Sequence, residues 1–129
     1  MVTTAYVDTS AAMKLLVAER ETAAMRDWWA SSASALAASW LLHTELHCAS
    51  GRRPETVRID AVSAVLDAMT LVDITRGDLL AAGTHKPLRS NDAIHLATAL
   101  RIGSDEVVTY DDELADAARR AGLRVVAPA

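Results

Sequence analysis

Short β-rich runs alternate with helical stretches along the whole chain, and this alternation restricts the fold more than any other feature. TAYV (4–7) is followed by Asp8, Thr9 and Ser10, which can cap the helix AAMKLLVAE. A second helical stretch covers roughly 20–32, and ALAAS (35–39) reads as a short buried strand. WLLHTELHCAS forms a helix that Gly51 is expected to stop, and Pro54 is expected to open the next, PETVRIDAVSAVLDAM. TLVDIT (70–75) alternates and is β-branched, so it reads as a strand, with the short helix RGDLLAAGTH behind it. SNDAIHLATALRIG is a helix with Ser90 or Asn91 as cap and Gly103 as stop. EVVTY (106–110) and LRVVA (123–127) are strands. Between them, DDELADAARRAG carries acids at its start and Arg at its end, which suits the helix dipole. Such an order predicts a three-layer α/β/α fold with a mostly parallel central sheet of four to five strands. No repeat, linker or low-complexity tract interrupts the chain, so one domain is expected over residues 1–129.

Composition narrows the function classes only partly. Apolar residues make up 51% of the chain, enough for one core, and with no Phe that core must rest on Leu, Val, Ile and Ala. The net charge of −4, from 17 acidic and 13 basic residues, does not announce a nucleic-acid binder. Nor does it exclude one, because an acidic metal site adds negative charge that the metal reverses locally. Cys48 stands alone, so no intrachain disulfide is available, and a reducing, cytoplasmic location is expected. The N-terminus lacks a cationic segment followed by an apolar run, so it does not read as a signal peptide. No stretch reads as a membrane span.

Residues 43–47, HTELH, raise a zinc question, because two histidines four apart flank a glutamate. Rotation answers it. With Leu41 at zero, Glu45 falls at ~40° within an arc that holds Leu42, Leu46, Cys48 and Ala49, whereas His43 and His47 fall at ~200° and ~240°. The carboxylate, not the histidine pair, belongs to the inward face, and the histidines are expected to meet solvent or a partner chain. Asp92 likewise shares its helix face with Leu96, Ala99 and Leu100, and it lies in the first turn, where the dipole favours an anion. His95 falls on the flank and reads as an ordinary polar contact. Asp8 and Asp111 directly follow strands, at the sheet edge where sites form in open parallel sheets. Either alone would read as a helix cap.

Four carboxylates thus converge: Asp8, Glu45, Asp92 and Asp111, with Asp112 as a possible fifth. Two carboxylates about 4 Å apart repel by about 4 kcal/mol at an effective dielectric near 20. The chain has two lysines, Lys14 and Lys86, and only Lys14 is placed to reach these acids. A divalent cation is the economical compensation, and oxygen-only ligands favour Mg²⁺ or Mn²⁺ over zinc. Such a site suits hydrolysis of a phosphodiester. No nucleophile elbow, Walker loop or dinucleotide fingerprint competes with it.

The segments YVDTSAAMKLL (6–16), ELHCA (45–49), LRSNDAIHLATAL (88–100) and VTYDDELADAARRAGL (108–123) resemble the PIN-domain family, specifically its VapC-type toxin ribonucleases. The resemblance spans nearly the whole chain; its third and fourth segments are specific, and the second is weak alone. It implies a metal-dependent endoribonuclease, a homodimer, and inhibition by a VapB-type antitoxin encoded beside it. Within it the motif acids are Asp8, Glu45, Asp92 and Asp111, with Asp112 assisting and Ser10 and Thr109 as supporting hydroxyls. Asn91 departs from the pattern, which has an apolar or small residue before the third acid. Two alternatives stay open: a catalytically silent binding module of the same fold, and an aspartate-dependent phosphatase. The phosphatase would want a second acid two residues after Asp8, where Ser10 stands. A phosphorylated receiver domain is not supported, because its Asp and Lys pair is not supplied. Among the remaining residues, Trp28 and Trp29 are expected in the core or at a dimer contact. Arg52, Arg53 and Arg58 are expected to be solvated, and Lys86 and Arg89 are the better candidates for substrate contacts.

Overall fold

A computed structural model of the chain describes residues 2–129; Met1, where the expected domain begins, lies outside them. Five strands form one sheet: β1 (Thr4–Val7), β2 (Ala35–Ser39), β3 (Thr70–Val72), β4 (Glu106–Val108) and β5 (Arg124–Val126). Their spatial order is β3-β2-β1-β4-β5, and every pairing is parallel. Seven helices connect them: α1 (Thr9–Leu16), α2 (Thr22–Ser31), α3 (Trp40–Arg52), α4 (Ile59–Asp67), α5 (Arg76–Ala82), α6 (Ser90–Arg101) and α7 (Asp112–Arg120).

The strands are apolar on both sides because helices cover both sides. Along β1, Ala5 and Val7 point to one face and Tyr6 to the other, as the period of two requires. The first face packs with Ala38 and Val108 against α1 to α4, through Ala11, Met25, Leu42, Leu46 and Val62. The second packs Tyr6 and Val107 against Leu96 and Ala99 of α6 and Leu114 and Ala118 of α7. Helix α6 is buried almost all round from Ala93 to Ala99, and its small residues Ala93 and Ala97 let Ala82 of α5 approach. Trp28 and Trp29 lie half-buried against the first core. No helix of the described residues is long and apolar enough to cross a membrane.

Several element boundaries differ from expectation: the strands expected at 70–75 and 106–110 end at Val72 and Val108, α5 ends at Ala82, and three helix ends have a local cause. Gly51 does not end α3, which runs on to Arg52. The breaker is Pro54, whose ring excludes helical geometry at the preceding residue, and Arg53 accordingly sits at φ −140°, ψ 67°. Pro54 does not open α4 either. Residues 54–57 make a turn closed by the Thr56 and Val57 amides on the Arg53 carbonyl, and buried Val57 anchors it, so α4 starts at Ile59. Helix α6 takes Arg89 as its N-cap residue, with no side-chain cap, and Ser90 is already helical. Gly103 does follow α6, at φ +72°, where a side chain would be strained.

In this strand order the chain leaves β1 in one direction towards β2 and returns to its other side as β4. The carboxyl edge between β1 and β4 is therefore the topological switch point, where open α/β sheets bind ligands.

Candidate active site at the carboxyl edge of the sheet

Asp8 follows β1 at that switch point and caps α1. It is 2% exposed, and its Oδ1 accepts from the Ser10 hydroxyl at 2.7 Å and the Ala11 amide at 2.9 Å. Its Oδ2 accepts from Thr109 Oγ1 at 2.5 Å. Thr109 reaches it because β4 is hydrogen-bonded to β1, and the Asp8 amide itself donates to the Val108 carbonyl. Burial pushes the Asp8 carboxyl up, and the bonds from Thr109, Ala11 and Ser10 hold it only partly down. Ser10 also accepts from the Tyr110 amide at 2.8 Å, so the hydroxyl pair ties the loops after β1 and β4 together.

Asp111 caps α7, with Oδ1 accepting from the Leu114 amide at 2.9 Å, and its own amide donates to Thr109 Oγ1 at 3.0 Å. Asp112 is the first residue of α7 and is exposed; with Thr109 and Asp111 it lines a cleft that also holds Lys14, Arg20 and Arg119.

Glu45 comes from the second turn of α3. Its Oε1 accepts from Thr9 Oγ1 at 2.6 Å and from His95 Nε2 at 2.7 Å, and its Oε2 accepts from Asn91 Nδ2 at 3.3 Å. Burial raises its carboxyl, but His95, Thr9 and Asn91 outweigh burial and leave it below the usual range. Asn91, the departure from the family pattern, thus acts on Glu45.

His95 is the residue that sequence reasoning misjudged. It is 2% exposed and central, not a flank contact. Its Nδ1 lies 2.7 Å from the Tyr6 hydroxyl, which accepts from the Ser39 amide at 3.3 Å. One proton assignment satisfies every group. Tyr6 donates to Nδ1, and Nε2–H donates to Glu45. Burial raises the Tyr6 hydroxyl's pKa, which keeps that proton in place. The sequence signal was available: His95 lies three residues after Asp92 within AIHLATAL, a stretch with almost no other polar residue, so a polar side chain there had to find a buried partner.

Asp92 differs from its neighbours. It is half-buried in the first turn of α6, and among the described residues no side chain donates to its carboxylate. Burial, then the charges of Asp111 and Asp8, push its carboxyl up to about 6. Asp78 shows the contrast. It too is buried, yet Arg101 at 2.7 Å and the Thr75 capping box outweigh burial and lower its pKa. Asp78 is a structural acid on α5, whereas Asp92 has no hydrogen-bond donor or ion pair among the described residues.

Asp92 therefore feels the charges of Asp111, Asp8 and Glu45, and Ser10 and Thr109 tie Asp8 to the loop that carries Asp111. Lys14 lines the cleft beside Asp111, but its ammonium pairs with Glu19 at 2.6 Å and Glu21 at 2.9 Å and with none of the four acids. No described group of three or more His, Cys, Asp or Glu side chains closes into a preformed metal cage. His43 and His47 stack on each other at 4.0 Å and, beside Trp40, line a groove with Leu66 and Leu71, away from the acids. Lys86 lines a pocket between α5 and α6 that contains none of the four acids.

An all-parallel three-layer sheet with acids at its switch point defines a class of α/β proteins, and comparison with known proteins resolves which one. The PIN domain family matches residues 5–120. Ribonuclease VapC46 of Mycobacterium tuberculosis is 37% identical over 131 residues, covering 95% of this chain and 96% of the relative. Ribonuclease VapC35 of the same organism is 38% identical over 137 residues, with the same coverage of both chains. Among solved structures, Mycobacterium tuberculosis VapC20, a sarcin–ricin-loop-cleaving toxin, superposes with a TM-score of 0.74 at 18% identity, covering 96% of this chain and 99% of that one. A toxin–antitoxin complex from Klebsiella pneumoniae superposes at 0.71 and 20% identity, covering 97% and 98%. This chain belongs to the PIN-domain family, in its VapC branch.

Proposed function

We propose that the chain is a metal-dependent endoribonuclease, the toxin of a type II toxin–antitoxin pair, acting through Asp8, Glu45, Asp92 and Asp111 on Mg²⁺ or Mn²⁺. The observation that carries this is Asp92, half-buried in the first turn of α6 with no side-chain donor among the described residues, and pushed up to about 6 by burial, Asp111 and Asp8. An arrangement that concentrates negative charge at one edge and leaves one carboxylate unrelieved suits a site completed by a cation. The all-oxygen donor set fits a hard divalent ion such as Mg²⁺, which keeps several waters, so some of the carboxylates would reach it through those waters. Asp8, Asp92, Glu45 and Asp111 would hold it, with Asp112 at the rim. When bound, such a cation supplies Lewis acidity towards a phosphodiester and offsets the charge that develops on it.

The chain's own residues preorganise that site. Ser10 and Thr109 fix the Asp8 carboxylate. His95 and Thr9 fix Glu45 and keep it ionised. The names of the relatives support RNA as substrate. Toxin–antitoxin complexes among the solved relatives support a VapB-type antitoxin as partner. A homodimer follows from the same family reading. The phosphatase alternative loses ground because Ser10 serves as a donor to Asp8 where a second acid would be required.

The test is RNA cleavage by the chain purified away from its antitoxin, with Mg²⁺ or Mn²⁺, with EDTA, and as Asp8→Asn. Cleavage should require both the metal and Asp8. Unchanged cleavage by Asp8→Asn would sink the mechanism, and no cleavage of any RNA by metal-loaded wild type would favour the binding-only reading.

A further inference from the structure

The geometry points to the groove along α3, which runs from Glu45 to the unpaired Arg52 and Arg53, as the seat of the RNA strand on one side of the scissile phosphate. This rests on the nuclease reading above and assigns its substrate path. The groove, of about 560 Å³, is lined along α3 by Leu41, Glu45, Ala49 and Arg52, with Thr9 and Asn91 beside Glu45 and Arg53 just past the helix end. Residues 45, 49 and 52 fall on one helix face. Glu45 and Arg52 lie about 10 Å apart along the axis, which matches the rise of about three stacked nucleotides at ~3.4 Å each.

Charge distinguishes this flank from the other. The cleft beyond Asp111 and Asp112 also contains cations, but the protein's own acids occupy them. Lys14 is held by Glu19 and Glu21, Arg20 lies 3.6 Å from Glu21, and Arg119 lies 3.5 Å from Asp116. Arg58, close by in sequence, is tied to Asp60 at 3.3 Å. Arg52 and Arg53 have no acidic partner among the described residues and are exposed. The α3 dipole accounts for a cation at the helix end, but not for two adjacent arginines opening onto the groove that Glu45 also lines.

A polyanion fits this asymmetry. Near the four carboxylates a phosphate is repelled until a cation compensates. About 10 Å away that repulsion is screened at ordinary ionic strength, where the Debye length is about 8–10 Å. Two guanidinium forks at that distance can hold flanking backbone phosphates. They would add affinity without taking part in bond cleavage.

The test uses the full chain as Asp8→Asn, so that RNA is bound but not cut. Binding of a fluorescein-labelled single-stranded RNA is followed by anisotropy in Mg²⁺ across a salt series, with and without Arg52→Gln/Arg53→Gln. The pair should weaken binding roughly tenfold and reduce the slope of log K against log salt by about 1.4, for two phosphates on a single strand. Arg58→Gln should change neither. Cys48 gives an independent readout, because it is exposed and opens onto the same groove. RNA should slow its alkylation by iodoacetamide, and the double substitution should remove much of that protection. With Asp8 restored, the arginine pair should raise KM with little change in kcat. An unchanged salt slope, or Cys48 alkylated equally fast with RNA bound, overturns the groove while leaving the nuclease reading intact. Failure of the protein to bind any RNA overturns both. Loss of affinity for the antitoxin, but not for RNA, assigns the groove to a peptide and overturns the proposal.

Discussion

The Tyr6–His95–Glu45 chain makes the sharpest prediction, because its first link is buried, its second is half-buried, and one proton assignment satisfies both. In His95→Ala, the Tyr6 hydroxyl loses its acceptor inside the core, which costs about 1–3 kcal/mol, and Glu45 loses a donor to an ionised group, worth about 1.5–3 kcal/mol. Glu45 is 21% exposed at the side chain and can recover part of that from water. With the cavity left by the ring, the sum is about 3–5 kcal/mol, a large share of an ordinary domain's 5–15 kcal/mol. Tyr6→Phe leaves the Ser39 amide and His95 Nδ1 without their partner, at a cost of about 1–3 kcal/mol. The two costs should not add. In the double variant no orphaned hydroxyl remains, so the coupling should be about 1–2 kcal/mol in favour of the double. Urea unfolding followed by the fluorescence of Trp28, Trp29 and Trp40 gives all four corners of the cycle, provided m is unchanged. Costs that add to within a few tenths of a kcal/mol would show that Tyr6 does not donate to His95, and the proton assignment would fall.

Further expectations are checked more simply. In EDTA, Asp92 ionises in the folded protein at about 6 against an ordinary 3.8, so the folded state binds its proton more tightly. The stability it contributes is fully present below about pH 3.8 and is lost as pH rises through about 6; thermal unfolding from pH 3.5 to 7 should show this fall, and Asp92→Asn should flatten it. Under the proposed function, Mg²⁺ at pH 7 should raise Tm in wild type and much less in Asp92→Asn. Thr109→Val removes the donor to Asp8 Oδ2 and should cost about 1–3 kcal/mol in urea unfolding; a cost under ~0.5 kcal/mol would mean that water replaces the hydroxyl. Asp78→Ala should destabilise through loss of the Arg101 and Thr75 contacts while leaving RNA cleavage per folded molecule unchanged, which separates a structural acid from the site acids.

The sequence by itself determined the order of elements, the parallel sheet and the positions of Asp8 and Asp111, because those follow from local patterning and from the rule that loops at the carboxyl edge carry sites. It also placed Glu45 and Asp92 on inward faces, since helical rotation is fixed by spacing. Tertiary structure alone decided how each acid is held. Asp78 and Asp92 look alike in sequence; only packing gives one an arginine and leaves the other beside carboxylates. His95 looked peripheral by rotation, because a helical wheel assumes one buried face, and α6 is enclosed on nearly all sides by the sheet, α5 and α7. Arg52 and Arg53 are exposed as their sequence suggests, but a helix end carries no sequence signal for the groove that runs along it past Glu45. Spacing along one helix is a local property, whereas the partner of a buried charge is chosen by whatever element the fold places against it.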